Sequence, residues 1–319
     1  MGLTVAIQMD PVGSINFDTD STLMLGLEAL SRGYTLYYFN PNSLSLADGK
    51  VVAQSQRLEL RPVKGDHFRL GPSERLSLDR CQVVLVRQDP PFDLAYITAT
   101  YLLERLPPTT VVVNNPTQIR NSPEKLMVTQ FRDLVPPTLI SSTVEEIATF
   151  RQQHGAVVIK PLYGFGGFGV VHLEPDDRNL PAILELHAAR GREPLVIQKY
   201  IADVRTGDKR IILVNGKPIG AVLRQPAEHE TRANFHAGGR PVKSDLTSRD
   251  KEICAVIGPI LVDRGLLLAG IDVIGGYLIE INVTCPTGIQ EINRLNDARL
   301  EAIVWDAIDA EVERVGRAG

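Results

Sequence analysis

Cysteine is scarce: the 319 residues hold three, Cys81, Cys254 and Cys285, an odd number at wide spacing. That excludes a disulfide framework and offers no zinc cluster. There is no basic excess either, since 34 lysines and arginines face 38 aspartates and glutamates for a net charge of −4. A nucleic-acid partner is therefore not expected. Long apolar runs are missing, so no membrane span is expected. The first residues run directly into Leu3-Thr4-Val5-Ala6-Ile7 without a basic leader, which reads as a cytoplasmic protein. Two nucleotide signatures are absent as well. No Gly-Lys-Ser/Thr of a P-loop occurs, and Met9-Asp10-Pro11-Val12-Gly13 lacks the glycine spacing that a dinucleotide-dependent dehydrogenase needs.

What remains is ordinary globular material, 44% hydrophobic and 23% charged, long enough for two or three compact units. It is organised around Val157-Val158-Ile159-Lys160-Pro161-Leu162-Tyr163-Gly164-Phe165-Gly166-Gly167-Phe168-Gly169-Val170-Val171. This is an apolar strand ending in a lysine, a loop with four glycines in six residues, and a second β-branched run. Such a loop can turn several backbone N–H groups onto one anion, because glycine accepts positive φ and close approach. Lys160 supplies a point charge. A glycine-rich hairpin that binds nothing is the competing reading at this point.

The first third alternates strands and helices. Residues 3–9 read as a buried strand, and Asp20-Ser21-Thr22 opens a helix through Leu23, Leu27 and Leu30 that stops at Gly33. Strands follow at 34–39, 83–86 and 111–113, an antiparallel pair at 51–53 and 58–61, and a helix at 98–106. This argues an open α/β sheet with ligands beyond the strand C-termini, where Asp10, Arg87, Asp89 and Asn114 stand. Farther on, a helix begins at Pro123-Glu124-Lys125, and a boundary falls at Leu134-Val135-Pro136-Pro137. Thr143 and Glu146 form a capping box for a helix reaching His154-Gly155, and a second helix covers 180–190. The 195–201 strand leaves this small unit. Residues 210–214 and 218–224 form a hairpin about Asn215-Gly216, 225–240 reads as a mobile loop, and 247–264 is an amphipathic helix.

Residues 267–274 and 277–283 are strands joined at Gly275-Gly276. Glu280 and Asn282 share one face. Asp272 joins them in only one register. A two-residue turn pairs it with Ile279, whereas a three-residue connection pairs it with Glu280 and lays Ile271 on Ile281 and Val273 on Ile279. The second gathers the apolar side chains on one face and is the expected register. Two carboxylates and an amide, with room for water and phosphate oxygens, suit Mg²⁺. Calcium or zinc would need a fuller cage or His and Cys ligands. Edge-strand carboxylates facing water are the alternative.

Several short motifs recur in a fixed order along nearly the whole chain. They are Met9-Asp10-Pro11 with Ile15-Asn16, Arg87-Gln88-Asp89-Pro90-Pro91-Phe92-Asp93, Asn121-Ser122-Pro123-Glu124-Lys125-Leu126, Ile159-Lys160-Pro161-Leu162, Gly207-Asp208-Lys209-Arg210, Ala237-Gly238-Gly239-Arg240 and Glu280-Ile281-Asn282-Val283-Thr284. Together they resemble the ATP-grasp superfamily and, within it, the bacterial glutathione synthetases. The resemblance implies an α/β (α+β) ATP-grasp fold in three units: an N-terminal α/β domain over 1–121, a lid with the glycine flap over 122–200, and a C-terminal antiparallel-sheet unit over 201–319. It implies ligation of γ-glutamylcysteine to glycine through an acyl phosphate, at the cost of ATP. It further implies two Mg²⁺ ions, replaceable by Mn²⁺, and a homo-oligomer, dimer or tetramer.

By the same resemblance, Lys125 and Lys160 meet the nucleotide, Gly164, Gly166 and Gly167 form the flap, and the hinge Gln198, Lys199, Tyr200 and Ile201 reads adenine with its backbone. Asp208 meets the ribose or nearby phosphates, and Asp272, Glu280 and Asn282 hold the metal. Arg210 and Arg224 stabilise the charge that develops in phosphoryl and acyl transfer. The 225–240 loop closes over the acyl phosphate, bringing Arg232 and Asn234 to the substrates with Gly238 and Gly239 beside them, and Cys285 lines the glycine end. The chain departs from the pattern at Glu228-His229, where glycines are expected, and at Cys285, where serine is common. An ATP-grasp ligase for other substrates and a nucleotide-binding regulatory module are the competing readings.

Overall fold

A computed structural model describes residues 2–189, 191–230 and 232–318, arranged around three sheets. The first contains β1 (Thr4–Gln8), β2 (Thr35–Ala47), β3 (Lys50–Leu60), β4 (Phe68–Ser77), β5 (Val83–Val86) and β6 (Val111–Val113), in the order β4-β3-β2-β1-β5-β6. Its β2-β1-β5-β6 half is parallel. Val5, Ile7 and Val83 are fully buried there, as expected of parallel strands covered on both faces. The expected antiparallel pair at 51–53 and 58–61 is instead the single strand β3. With β2 on one side and β4 on the other, β3 has ladder partners along its whole length, which carry it through the polar run Gln54-Ser55-Gln56-Arg57. The sequence did not reveal β4, whose Gly71-Pro72 interruption is tolerated because β4 is an edge strand.

Helix α1 (Ser21–Ser31) starts where expected, with Asp20 accepting from the Leu23 N–H at 2.8 Å. Helix α2 (Leu94–Leu103) begins four residues before the expected 98, because the Asp93 side chain caps it by accepting from Tyr96 N–H at 2.9 Å. Short helices α3 (Pro116–Asn121) and α4 (Glu124–Met127) lead out of this layer.

The second sheet, β7 (Thr138–Ser141), β8 (Val157–Pro161), β9 (Val171–Leu173) and β10 (Leu195–Lys199), is antiparallel in the order β7-β10-β8-β9. It packs against α5 (Val144–His154) and α6 (Leu180–Ala188) through Ile147, Val157, Ile159, Leu180 and Ile197. Arg190, the expected end of α6, lies outside the described residues. The Thr143–Glu146 capping box does not form. Ser141 stands between the two, donating to Glu146 Oε2 at 2.6 Å and accepting from Thr143 N–H at 3.0 Å, so the end of β7 supplies the hydroxyl.

The third sheet is β11 (Asp208–Val214), β12 (Lys217–Gln225), β13 (Arg240–Lys243), β14 (Leu268–Ile274) and β15 (Tyr277–Asn282), in the order β13-β12-β11-β14-β15. Asn215 and Gly216 have φ of 46° and 71°, the turn expected at the β11–β12 hairpin. Residues 225–240 are bracketed by the Gln225–Arg240 pair of β12 and β13. Helix α7 (Ser248–Asp263), opened by a reciprocal Thr247–Asp250 capping box, covers one face through Ile253, Ile257 and Leu261. Burial contributes about 1.5–3 kcal/mol for each such side chain. Met127, Phe131 and Leu134, sequentially at the start of the expected lid, also enter this core.

Two helices that the sequence reading left unassigned, α8 (Ile289–Asn296) and α9 (Leu300–Ala318), fasten the third sheet to the first. Leu300, Val304 and Ile308 recur at the helical spacing of four, and the buried Trp305 donates to Leu25 O at 2.7 Å. Among the described residues no helix is long and apolar enough to cross a membrane.

At the β14–β15 turn both register arguments hold at once. Gly275 and Gly276 make a two-residue turn at positive φ, pairing Ile274 with Tyr277 and Val273 with Leu278. Ile279 is then an extra residue, and Asp272 pairs with Glu280, Ile271 with Ile281. The expected Val273–Ile279 pair is thus corrected: a β-bulge, not a longer turn, restores the register.

Candidate active site

The three sheets meet around an open cavity of about 200 Å³. Its roof is one face of the second sheet. Cross-strand pairs place Gln198, Val158 and His172 in a row, with Lys160, Val170 and Tyr200 on the same face by the two-residue alternation. Its floor is the third sheet, where Arg210, Asp272 and Glu280 form a second row across β11, β14 and β15, flanked by Asp208 opposite Arg224 and by Asn282. The flap glycines Gly164, Gly166 and Gly167 close one side; Asp89, Thr284 and Cys285 close another.

The charged groups are buried and paired. Arg210 Nε donates to Asp272 Oδ1 at 2.5 Å and Nη2 to Oδ2 at 3.1 Å, while Arg224 Nη2 lies 2.6 Å from Asp208 Oδ2 and 2.9 Å from Asp272 Oδ2. Burial alone would raise the Asp272 carboxyl, but the two guanidiniums outweigh it and hold it well below the usual carboxylate range. At Asp208 burial wins over Arg224 and pushes the carboxyl up to about 7. Lys125 Nζ donates to Glu124 and to the Gly164 carbonyl and stands 3.6 Å from Glu280 Oε1. Burial opposes its charge, yet Glu280 and Glu124 together keep the ammonium more basic than usual. At Lys160, whose Nζ donates to Gln198 Oε1 at 3.1 Å, burial outweighs the attraction of Glu280 and lowers the pKa.

At the hinge, the Lys199 N–H donates to Pro137 O and the Tyr200 N–H to Ala156 O, each at 2.9 Å, so neither is available to a ligand. Pro137 has no N–H with which to return the bond to the Lys199 carbonyl. The flap and the 225–240 segment touch. Arg232 is held by Glu230, Nε to Oε1 at 3.0 Å and Nη2 to Oε2 at 2.6 Å, and its Nη1 donates to Gly167 O at 3.1 Å. Gly167 has φ of 76°, and a Cβ there would come within 2.9 Å of Asn234 Nδ2.

Most residues singled out from sequence therefore converge. Gly238 and Gly239 do not line the cavity; a Cβ at Gly239 would meet Ala233 O at 1.9 Å, so its role lies in the loop turn. Cys285 lines the wall with its Sγ donating to Arg87 O at 3.3 Å, and burial raises its thiol pKa, which suits packing and not nucleophilic chemistry. Of the strand-end residues, Asp89 reaches the cavity, and its N–H donates to Asp10 Oδ2 at 2.8 Å. Asn114 ties β6 to β14 and β15, donating to Leu268 O and Val283 O at 2.7 Å. The sequence reading missed Glu124, His172 and Ile279. His172 had a usable signal, two residues after Val170 on the strand leaving the flap.

Among the described residues no group of three or more His, Cys, Asp or Glu side chains is arranged to hold a metal ion. A divalent ion would rest on Glu280, Asn282 and Asp272 with ligand and water oxygens. This donor set fits a hard, incompletely caged cation, because Glu280 and Asn282 face the cavity and Asp272 pairs directly with Glu280.

The match to known proteins covers both halves of this architecture. The prokaryotic glutathione synthetase N-terminal domain matches residues 3–120, and the prokaryotic glutathione synthetase ATP-grasp domain matches 124–297. The chain belongs to the prokaryotic glutathione synthetase family. Curated relatives named glutathione synthetase include one from Agrobacterium fabrum, 54% identical over 305 residues and 96% of each chain. Another, from Brucella melitensis, is 53% identical over 310 residues, 97% of this chain and 99% of its own. A solved structure of the ATP-grasp ligase PsnB, complexed with precursor peptide PsnA2 and AMPPNP, is similar at a TM-score of 0.63 and 16% identity, covering 98% of this chain and 99% of that one. That likeness speaks for the fold alone. The enzyme is an ATP-using ligase with the ATP-grasp fold, and its activity is that of its family, glutathione synthesis from small-molecule substrates.

Proposed function

We propose that ATP lies in this cavity with its triphosphate against Lys125, Lys160 and the glycine flap and its base toward Val158 and Ile201. The cysteinyl carboxylate of γ-glutamylcysteine attacks the γ-phosphorus, releasing ADP and leaving an acyl phosphate. The amine of glycine then attacks the acyl carbon, phosphate departs with its oxygen, and the amide nitrogen gives up a proton. One observation carries this reading: two buried lysines face two carboxylates and an amide across a single cavity. A polyanion accompanied by a cation is the ligand that satisfies both walls.

Asp272, Glu280 and Asn282 would hold Mg²⁺, which when bound supplies charge neutralisation at the phosphates. Arg210 and Arg224 stabilise charge on the transferring phosphoryl group and on the tetrahedral carbon. Arg232 and Asn234, seated on the flap at Gly167, exclude water from the acyl phosphate. Asp208 accepts from the ribose, and Cys285 lines the glycine end. A cytoplasmic homo-oligomer with units at 1–121, 122–200 and 201–319 completes the reading.

ADP formation by the purified protein with Mg²⁺ and ATP tests it. Turnover requiring γ-glutamylcysteine and an amine, fastest with glycine over alanine or serine, is the expected result. Turnover with other acceptors but not these would reassign the substrates.

A further inference from the structure

The 225–240 segment reaches the charged floor through one side chain that the chemistry above does not employ. Phe235 opens a short helical turn, Phe235–Ala237, directly after Asn234, whose amide lies against the flap at Gly167. Hydrogen bonds within the segment fix this turn: Ala237 N–H to Asn234 O at 3.0 Å, Gly238 N–H to Phe235 O at 3.0 Å and Gly239 N–H to Asn234 O at 3.1 Å. The Phe235 ring lines the cavity and packs on the core that joins the first and third sheets. A Cβ at Gly288 would stand 4.0 Å from its Cε2 and 3.4 Å from Arg210 Cγ, so glycine there leaves the ring room beside the floor.

That ring covers the Arg224 guanidinium, its centroid 5.7 Å from Cζ. The carboxylates of Asp208 and Asp272 both meet Arg224 through the one nitrogen Nη2, and its Nε is shielded with no hydrogen-bond partner among the described residues. A planar group tied by hydrogen bonds at one end can rock about that end, so its plane is set by what lies on its face. An aromatic face within about 6 Å attracts a cation, most strongly where the cation is out of water. Arg224 is such a cation, at 2% exposure.

We propose that Phe235 is a positioning residue for the reaction: its ring fixes the guanidinium plane of Arg224, so that seating the 225–240 segment on the flap and aiming the arginine are one event. The role rests on the reading of Arg224 as the group that stabilises charge on the transferring phosphoryl. It differs from the water exclusion assigned to Arg232 and Asn234, because it acts through the arginine.

The test is steady-state kinetics with Mg²⁺, ATP, γ-glutamylcysteine and glycine on the wild-type chain, Phe235→Leu and Phe235→Tyr. Leucine fills the space without a π face, and tyrosine keeps the ring. Phe235→Leu should lower kcat about tenfold, equivalent to about 1.4 kcal/mol. Each KM should stay within about twofold, as for a contribution made in the transition state. Phe235→Tyr should keep kcat within about twofold of wild type. Arg224→Lys gives a second readout, since an ammonium has no plane to hold; adding Phe235→Leu to it should change the residual kcat by less than about twofold. A wild-type kcat in Phe235→Leu overturns the proposal, as does an equal loss in Phe235→Tyr, a raised KM at unchanged kcat, or a further loss of the same size in the Arg224→Lys background. If Phe235→Leu does not fold, Phe235→Met replaces it with the same expected result. A wild-type chain without turnover refutes the reading of the site and this role with it, whereas wild-type turnover beside an unaffected Phe235→Leu refutes Phe235 alone.

Discussion

Replacing Asp272 by asparagine should cost more in stability than any other single change in the cavity. The carboxylate receives both Arg210 and Arg224 at 2.5–3.1 Å, and all three side chains are buried. Asparagine removes the charge and turns an NH₂ toward a guanidinium, leaving two buried cations to share Asp208. Breaking a buried pair on one side costs about 3–5 kcal/mol. For a folding unit of 150–250 residues that lowers Tm by roughly 6–20 °C. Calorimetry or near-UV circular dichroism at pH 7 reads it directly. The sign with pH is fixed by the depressed Asp272 carboxyl: its contribution is present above the unfolded value and is lost only as pH falls toward the folded one. The unfolded value is near 4, so the deficit should persist at both pH 5 and pH 8, changing in size between them only as Asp208, raised to about 7, titrates. Adding Arg210→Met should recover part of it by removing one stranded cation. A wild-type Tm in Asp272→Asn, or a deficit that vanishes between pH 8 and pH 5, would refute the pairing.

Glu280→Gln should behave oppositely, with Tm within about 2 °C of wild type but turnover down on the order of 10²–10³-fold, because its neighbour Lys125 is 3.6 Å away while the carboxylate faces the ligand. Gly167→Ala forces a Cβ to 2.9 Å from Asn234 at a φ of 76°; steady-state kinetics should show kcat down on the order of 10²-fold through misplacement of the flap, and a wild-type kcat would remove the flap–loop contact from the mechanism. Asp208, whose carboxyl is raised to about 7, binds its proton more tightly folded than unfolded, so its contribution to stability declines as pH rises from the unfolded value, near 4. Tm measured from pH 4.5 to 7.5 should therefore move in favour of Asp208→Asn as pH increases, and parallel curves for mutant and wild type would contradict the raised value.

How far the sequence disclosed these features depends on whether one local rule or several neighbours decide them. Asp20, Thr247 and Asn215-Gly216 each act through a cap or a turn, and each stands where local chemistry puts it. Strand β3 was misread because its polar centre is held by ladders on both sides, a fact that no window around 54–57 contains. Ser141 displaced Thr143 from the capping box because the geometry at the end of β7, not the spacing to Glu146, decides which hydroxyl arrives. The site residues were legible as types: lysines, glycines and acidic groups. Their pairings were not, since Arg210 and Arg224 reach Asp272 only after β11, β12 and β14 are laid side by side.

The β14–β15 turn shows how two valid rules can point to different registers. Gly275-Gly276 demands a two-residue turn, and the apolar face demands Asp272 opposite Glu280; an unbroken ladder satisfies one or the other. The bulge at Ile279 satisfies both by leaving that residue unpaired. Its consequence reaches the site: Ile279 lines the cavity beside Glu280, giving the cavity an apolar stretch of floor adjoining the carboxylate that faces Lys125. A conflict between turn chemistry and face patterning in a sequence is thus evidence for a bulge, and a bulge next to acidic residues is a reason to look there for the site.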